Sequence, residues 1–189
     1  ANPDMVTFTP DGTKALVAHE AELRTTTDVA AAISSSSDGV VDTNIDAPGS
    51  VSIINIAGGA ASPTVTTAGF TSFDGQEAAL RTAGVRITAG NSASADFEPE
   101  YIAVSPDGTK ALVTLQENNA VAVLDIATGT FTSVVPLGLK DFSTLLSDFS
   151  DRDNAAGTGQ AIKLELGNPV FGAYMPDAIA SFTSGGQTF

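Results

Sequence analysis

The side chains of this sequence that could do chemistry are mostly carboxylates. It has 22 Asp and Glu against 8 Lys and Arg, a net charge of −14. Three acids follow a proline at the head of similar segments: Asp4 after Pro3, Glu100 after Pro99, and Asp177 after Pro176. Carboxylates gathered at equivalent points repel one another unless a cation sits among them, and Ca²⁺, which takes about six to eight oxygens, suits that role. The plainer reading is three solvated acids in turns. A second oxygen-rich run is DFSDRDN, with Asp148, Asp151, Asp153 and Asn154 around Arg152. It suits a hard cation, although a local Asp–Arg ion pair explains it equally. Asp42, Asn44 and Asp46 have the first spacings of a calcium loop but lack its Gly and its terminal Glu. The expected metal ligands are therefore Asp4, Glu100, Asp177, Asp148, Asp151, Asp153 and Asn154.

Other chemistries find little support. There is no cysteine, hence no disulfide, thiolate ligand or thiol nucleophile. The single histidine, His19, has Glu20 and Glu22 beside it and could act as a base, but G-x-S-x-G is absent and a rim histidine without chemistry is the simpler expectation. Arg81 and Arg86 could hold an anion, or satisfy the last carbonyls of a helix. AGGAAS and AAGTGQ match neither phosphate-binding fingerprint and read as turns. An acidic chain is a poor partner for nucleic acid or an anionic membrane surface. No apolar run approaches the roughly 20 residues of a membrane span. The opening Ala-Asn-Pro, without Met or a leader pattern, reads as a processed product or an internal piece.

The elements that must position these residues come from an internal repeat. NPDMVTFTPDGTKALVAH, from Asn2, aligns without a gap to EPEYIAVSPDGTKALVTL, from Glu98, at an offset of 96 residues. MPDAIASFTSGGQTF, from Met175, is a weaker third copy at an offset of 77. Apolar residues alternate in MVTFT and YIAVS, the period of a half-buried strand. Pro-Asp-Gly then turns the chain, with Asp11 and Asp107 as turn formers, and ALV begins the return strand. AVAVLDI and FTSVVPL complete four antiparallel strands in the second copy.

Repeated four-strand units of this length are propeller blades. The expected fold is all-β: a partial β-propeller of two four-stranded antiparallel blades plus the start of a third, with long loop insertions and one or two short helices. Blade 1 covers about 3–68 with an insertion at 21–48, its third strand starting near Gly49 and its fourth spanning Pro63 to Thr67. A helical insertion follows at 69–97, where Asp74 caps a helix, Glu77 completes a capping box and Gly84 ends it. Blade 2 covers about 99–139. The insertion 140–174 carries a short helix at Asp141 to Leu146, and blade 3 starts at 175–189. The whole is one partial propeller domain.

PDGTKALVTLQENNAVAVLDIATGTFTSVVPLG resembles the YVTN type of propeller repeat. FDGQEAALRTAGVRI, EPEYIAVSPDGTKALVTLQENNAVAVLDIATG, SDRD and VFGAYMPDAIASFTSGGQT resemble the choice-of-anchor I proteins, some of which are described as mesenchyme-specific cell-surface glycoprotein or alkaline phosphatase. The resemblance implies a secreted or cell-surface location and a propeller that continues past Phe189; the first insertion has no counterpart in it. Two functions follow as expectations. The favoured one is a non-catalytic, calcium-stabilised propeller segment serving binding or surface assembly. The alternative is part of a metal-dependent, alkaline phosphatase-like phosphomonoesterase, whose metal hydroxide would need only carboxylates. The expected partner is the remainder of the same polypeptide or another chain that completes the propeller, since an unpaired edge invites aggregation.

Overall fold

A computed structural model describes residues 2–20, 48–150 and 162–189. The chain forms two units, one running to Pro136 and resuming at Met175, the other spanning Leu137–Tyr174.

The first unit holds two four-stranded antiparallel sheets. In one, β1 (Asn2–Phe8), β2 (Lys14–Glu20), β3 (Ser50–Asn55) and β4 (Thr64–Gly69) lie in sequence order; in the other, β5 (Pro99–Val104), β6 (Lys110–Leu115), β7 (Ala120–Asp125) and β8 (Thr130–Pro136) do the same. These are the two repeat-encoded blades, and among the described residues the fold is mostly β with two short α-helices, as the sequence predicted.

Equivalent residues perform equivalent work in the two blades. Gly12 and Gly108 take φ of 66° and 71°, the positive values the turn requires. The Asp11 carboxylate accepts the Thr9 hydroxyl at 2.6 Å and the Thr13 N–H at 3.0 Å; Asp107 accepts the Ser105 hydroxyl and the Thr109 N–H at the same distances. Both carboxyls are held down at about 2, first by the hydroxyl two residues earlier and then by these Thr N–H groups.

The sheets meet in one core. Leu16, Ala18, Val51 and Ile53 of the first blade share it with Ile102, Val113, Ala122 and Leu124 of the second. The linker completes it with rings: Phe70 stacks on Phe131 at 4.0 Å and meets Phe97 edge-on at 5.2 Å.

Two helix expectations need correction. α1 (Glu77–Ala83) ends at Gly84 in the left-handed conformation, as expected, but its N-cap is Gln76, with no side-chain cap. Asp74 instead accepts the backbone N–H and hydroxyl of Ser94, each at 2.8 Å, at the short α2 (Ala93–Asp96). Glu77 accepts the N–H groups of Gly75 and Ala93 at 3.0 Å. A capping-box pattern has thus been used to clip the linker to itself, which local spacing cannot distinguish from a cap.

In the second unit no helix forms at Asp141 to Leu146. Asp141 closes β9 (Leu139–Asp141), which pairs with β10 (Phe171–Ala173), and its carboxylate takes the Ser143 N–H at 2.8 Å. That side-chain bond offers the backbone a turn in place of the first helical turn.

Candidate functional site: the carboxylate mouth

Asp4 and Glu100 occupy the same irregularity in their strands. In β1 the pairing passes from Pro3↔His19 to Met5↔Ala18, leaving Asp4 as the extra residue. In β5 it passes from Pro99↔Leu115 to Ile102↔Val113, leaving Glu100 and Tyr101 opposite Thr114 alone. The bulge therefore recurs at one repeat position, and bulges re-aim side chains. Thr114 fills the gap by accepting the Tyr101 N–H on its hydroxyl at 2.9 Å.

The third copy joins this arrangement without a ladder. Residues 178–182 form no strand, and only the hairpin β11 (Thr183–Ser184) and β12 (Gln187–Thr188) pairs, across Gly185 and Gly186. The Ser181 hydroxyl nevertheless donates to the Val104 carbonyl, while Asp177 acts electrostatically on Glu100. Both pairs keep the 77-residue repeat offset, and the hydrogen bond sets this part of the third copy against the end of β5.

Glu100 is the centre of the group. It is half-buried, and its Oε2 is enclosed with no hydrogen-bond partner. Burial, and then the negative charges of Glu117, Asp177, Asp4 and Glu20, push its carboxyl up to about 7. The structure thus brings Asp4, Glu100 and Asp177 into one electrostatic neighbourhood. It adds Glu117 and Glu20, which sequence reasoning missed; the signal was there, since ALVAHEAE and ALVTLQEN each place an acid at or just after the end of the second strand. Among the described residues no three His, Asp or Glu side chains are already grouped to hold a metal ion.

Beside the mouth lies a pocket of about 150 Å³ lined by Arg86, Thr88, Asp96, Glu98, Glu117 and Asn118. Several of its polar groups are engaged in structure. Asp96 takes the Thr88 N–H and the Asn118 amide, and Asn118 also donates to the carbonyls of Arg86 and Asp96. Arg86 donates to the Glu117 carbonyl, and Arg81 to those of Ile87 and Thr88. The two arginines therefore brace loop carbonyls, not the helix end.

The remaining candidates separate. Asp148 lies in the second unit and accepts the backbone N–H groups of Ser150 and Lys163. Asp151, Asp153 and Asn154, like Asp42, Asn44 and Asp46, lie outside the described residues. His19 sits within β2, and its Nε2 meets the Ser52 hydroxyl at 2.8 Å across to β3. Burial lowers its pKa, keeping the ring neutral.

The choice-of-anchor I domain model matches residues 1–189, the whole chain. The chain belongs to the choice-of-anchor I family. Membership suggests a surface-associated, non-enzymatic domain. No curated protein matches this choice-of-anchor I domain. Among solved structures it is similar to a chain of Kuenenia stuttgartiensis hydrazine synthase, at 14% identity and a TM-score of 0.41, over 72% of this chain and 36% of that one. It thus spans about a third of that chain's length. Among the described residues no helix is long and apolar enough to cross a membrane.

Proposed function

We infer that this domain is a non-catalytic, secreted or cell-surface propeller segment that serves binding or surface assembly, and that Ca²⁺ stabilises its carboxylate mouth. The blades are then completed by the remainder of the same polypeptide or by another chain. The observation that carries the calcium part is the enclosed, unpartnered Oε2 of Glu100, set among four further carboxylates. A cation there would supply the missing partner and relieve the repulsion. Because the acids are not yet grouped around one point, binding requires Asp4 and Asp177 to rotate inward, which side chains at exposed positions can do.

Calorimetric titration of the chain with Ca²⁺, and thermal melts with and without chelator, test this reading. A saturable heat abolished by Glu100→Gln, together with a raised Tm, is expected. Equal melting curves across millimolar Ca²⁺ would remove calcium from the account. Incubation of the same samples with a phosphate monoester is expected to give no turnover, and chelator-sensitive hydrolysis would reverse the non-catalytic assignment.

A further inference from the structure

The two longest uncharged stretches of this acidic chain, 47–73 and 126–139, meet where β4 of the first blade approaches β8 of the second. They line a pocket of about 310 Å³, with Thr67, Gly69, Thr71 and Ser72 on the first-blade side and Gly129, Thr130 and Phe131 on the other. That volume is at the lower end of the range of small-ligand pockets, about 300–1,000 Å³. Both walls belong to the first unit and to blades the chain itself supplies, so neither depends on what adjoins the first blade or the third repeat. The walls are also fixed. Gly129 closes the β7–β8 turn with φ of 66°, and a Cβ on it would lie 2.8 Å from Thr66 Cγ2, so the turn sits directly on β4. Phe131 stacks on the fully buried Phe70. The Asp125 carboxylate accepts the Thr128 hydroxyl at 3.0 Å, which uses the only proton that hydroxyl has; in the 2.7 Å contact between Thr128 and Thr130 the donor is therefore Thr130. Its oxygen is left as an acceptor in the pocket. The hydroxyls of Thr67, Thr71 and Ser72 hydrogen-bond to no described residue and can either donate or accept.

We propose that this pocket between the outer strands of the two blades binds an uncharged sugar residue. No side chain that lines it carries a charge. It therefore offers no counterion to a phosphate, carboxylate, ammonium or metal ion, each of which would give up hydration on entry without compensation. A wholly apolar ligand fits no better, because it would strip water from four hydroxyls and return nothing. A ligand made of hydroxyl groups exchanges one set of hydrogen bonds for another: one O–H donates to the Thr130 oxygen, and others pair with Thr67, Thr71 and Ser72 in either sense. The exposed margin of Phe131 and the bare backbone at Gly69 and Gly129 let the C–H face of a sugar ring approach closely. The proposal gives a ligand class to the binding part of the function above, on which it rests, and is independent of calcium.

Backbone amide NMR titration of the 189-residue chain, in chelator, with neutral disaccharides of glucose, galactose, mannose and N-acetylglucosamine tests it, beside native electrophoresis through gels that contain neutral polysaccharides of the same sugars. Saturable shifts at Gly69, Thr71, Ser72, Gly129 and Thr130 are expected with at least one sugar, and none there with glucose 6-phosphate or glucosamine. Response to a disaccharide makes free sugar sufficient, whereas retardation in the gel alone places the residue on a polymer. Thr71→Val removes a hydroxyl at an exposed position with little change of shape and should weaken the response several-fold. A Cβ built on Gly69 meets nothing within 4 Å, and its φ is not positive, so Gly69→Leu keeps the fold, fills the pocket and should abolish the response with an unchanged circular dichroism spectrum. No response in either assay, binding unchanged in Gly69→Leu, or stronger shifts at these residues with the charged sugars would overturn the proposal. Shifts confined to other residues would overturn this site and leave the binding function standing. Chelator is present throughout, so failure of the calcium titration changes none of these outcomes.

Discussion

The Asn119 side-chain oxygen accepts the Met175 backbone N–H at 3.2 Å, joining the β6–β7 turn of the second blade to the start of the third repeat. Both residues have positive φ, 51° and 47°. Asparagine tolerates that conformation better than most residues, which explains its place in the Glu117-Asn118-Asn119 turn. Asn119→Gly should keep the turn and abolish amide hydrogen-exchange protection at Met175 with little change in Tm. Asn119→Ala should also lower global stability by about 1–2 kcal/mol, from the strained φ and the lost bond, read by denaturant melts.

Glu100 gives the fold a pH dependence of a definite sign. Its carboxyl is raised from 4.5 to about 7, so between those values the folded chain holds a proton that the unfolded chain has released. The Glu100 contribution is therefore most favourable below pH 4.5 and is lost as pH rises through 7. Melts across pH 5 to 8 should show a decline that Glu100→Gln flattens, with the variant more stable than wild type at pH 8. A steeper decline in the variant would contradict the assignment.

At the two Pro-Asp-Gly turns the sign is opposite. Asp107 is lowered from 3.8 to about 2, so its contribution is complete above 3.8 and disappears as pH falls through 2. Asp107→Ala should lower Tm at neutral pH and lose part of the acid transition of the wild type. Asp11→Ala should behave alike, because the two turns share their hydrogen bonds.

Gly49 lies where the first blade meets the linker. A Cβ built on it would approach Pro99 Cδ to 2.6 Å and collide with the Phe97 carbonyl. Backbone and proline ring cannot yield cheaply, so Gly49→Ala should cost about 1–3 kcal/mol or more by overpacking. Gly58→Ala, with nothing within 4 Å, is the control and should leave the urea midpoint almost unchanged.

The sequence by itself determined the strands and their turns. Alternating apolar residues and Pro-Asp-Gly act over a few neighbours, and the gapless repeat carries Val6 to Ile102 and Asp11 to Asp107 without reference to anything distant. It also placed Asp4, Glu100 and Asp177 at one repeat position, so the mouth was legible as a set. Tertiary structure alone decided what each environment does to its residue. Glu100 is raised first by its burial and then by Glu117, Asp177, Asp4 and Glu20, which the fold brings near it; Val6 is open where Ile102 is closed because a blade lies against only one of the two faces. Asp74 reads as a helix cap and binds Ser94, and Asp141 reads as part of a helix and makes a turn. In each case the local pattern offers several bonds of similar worth, and contacts across the fold, absent from any short stretch of sequence, select among them.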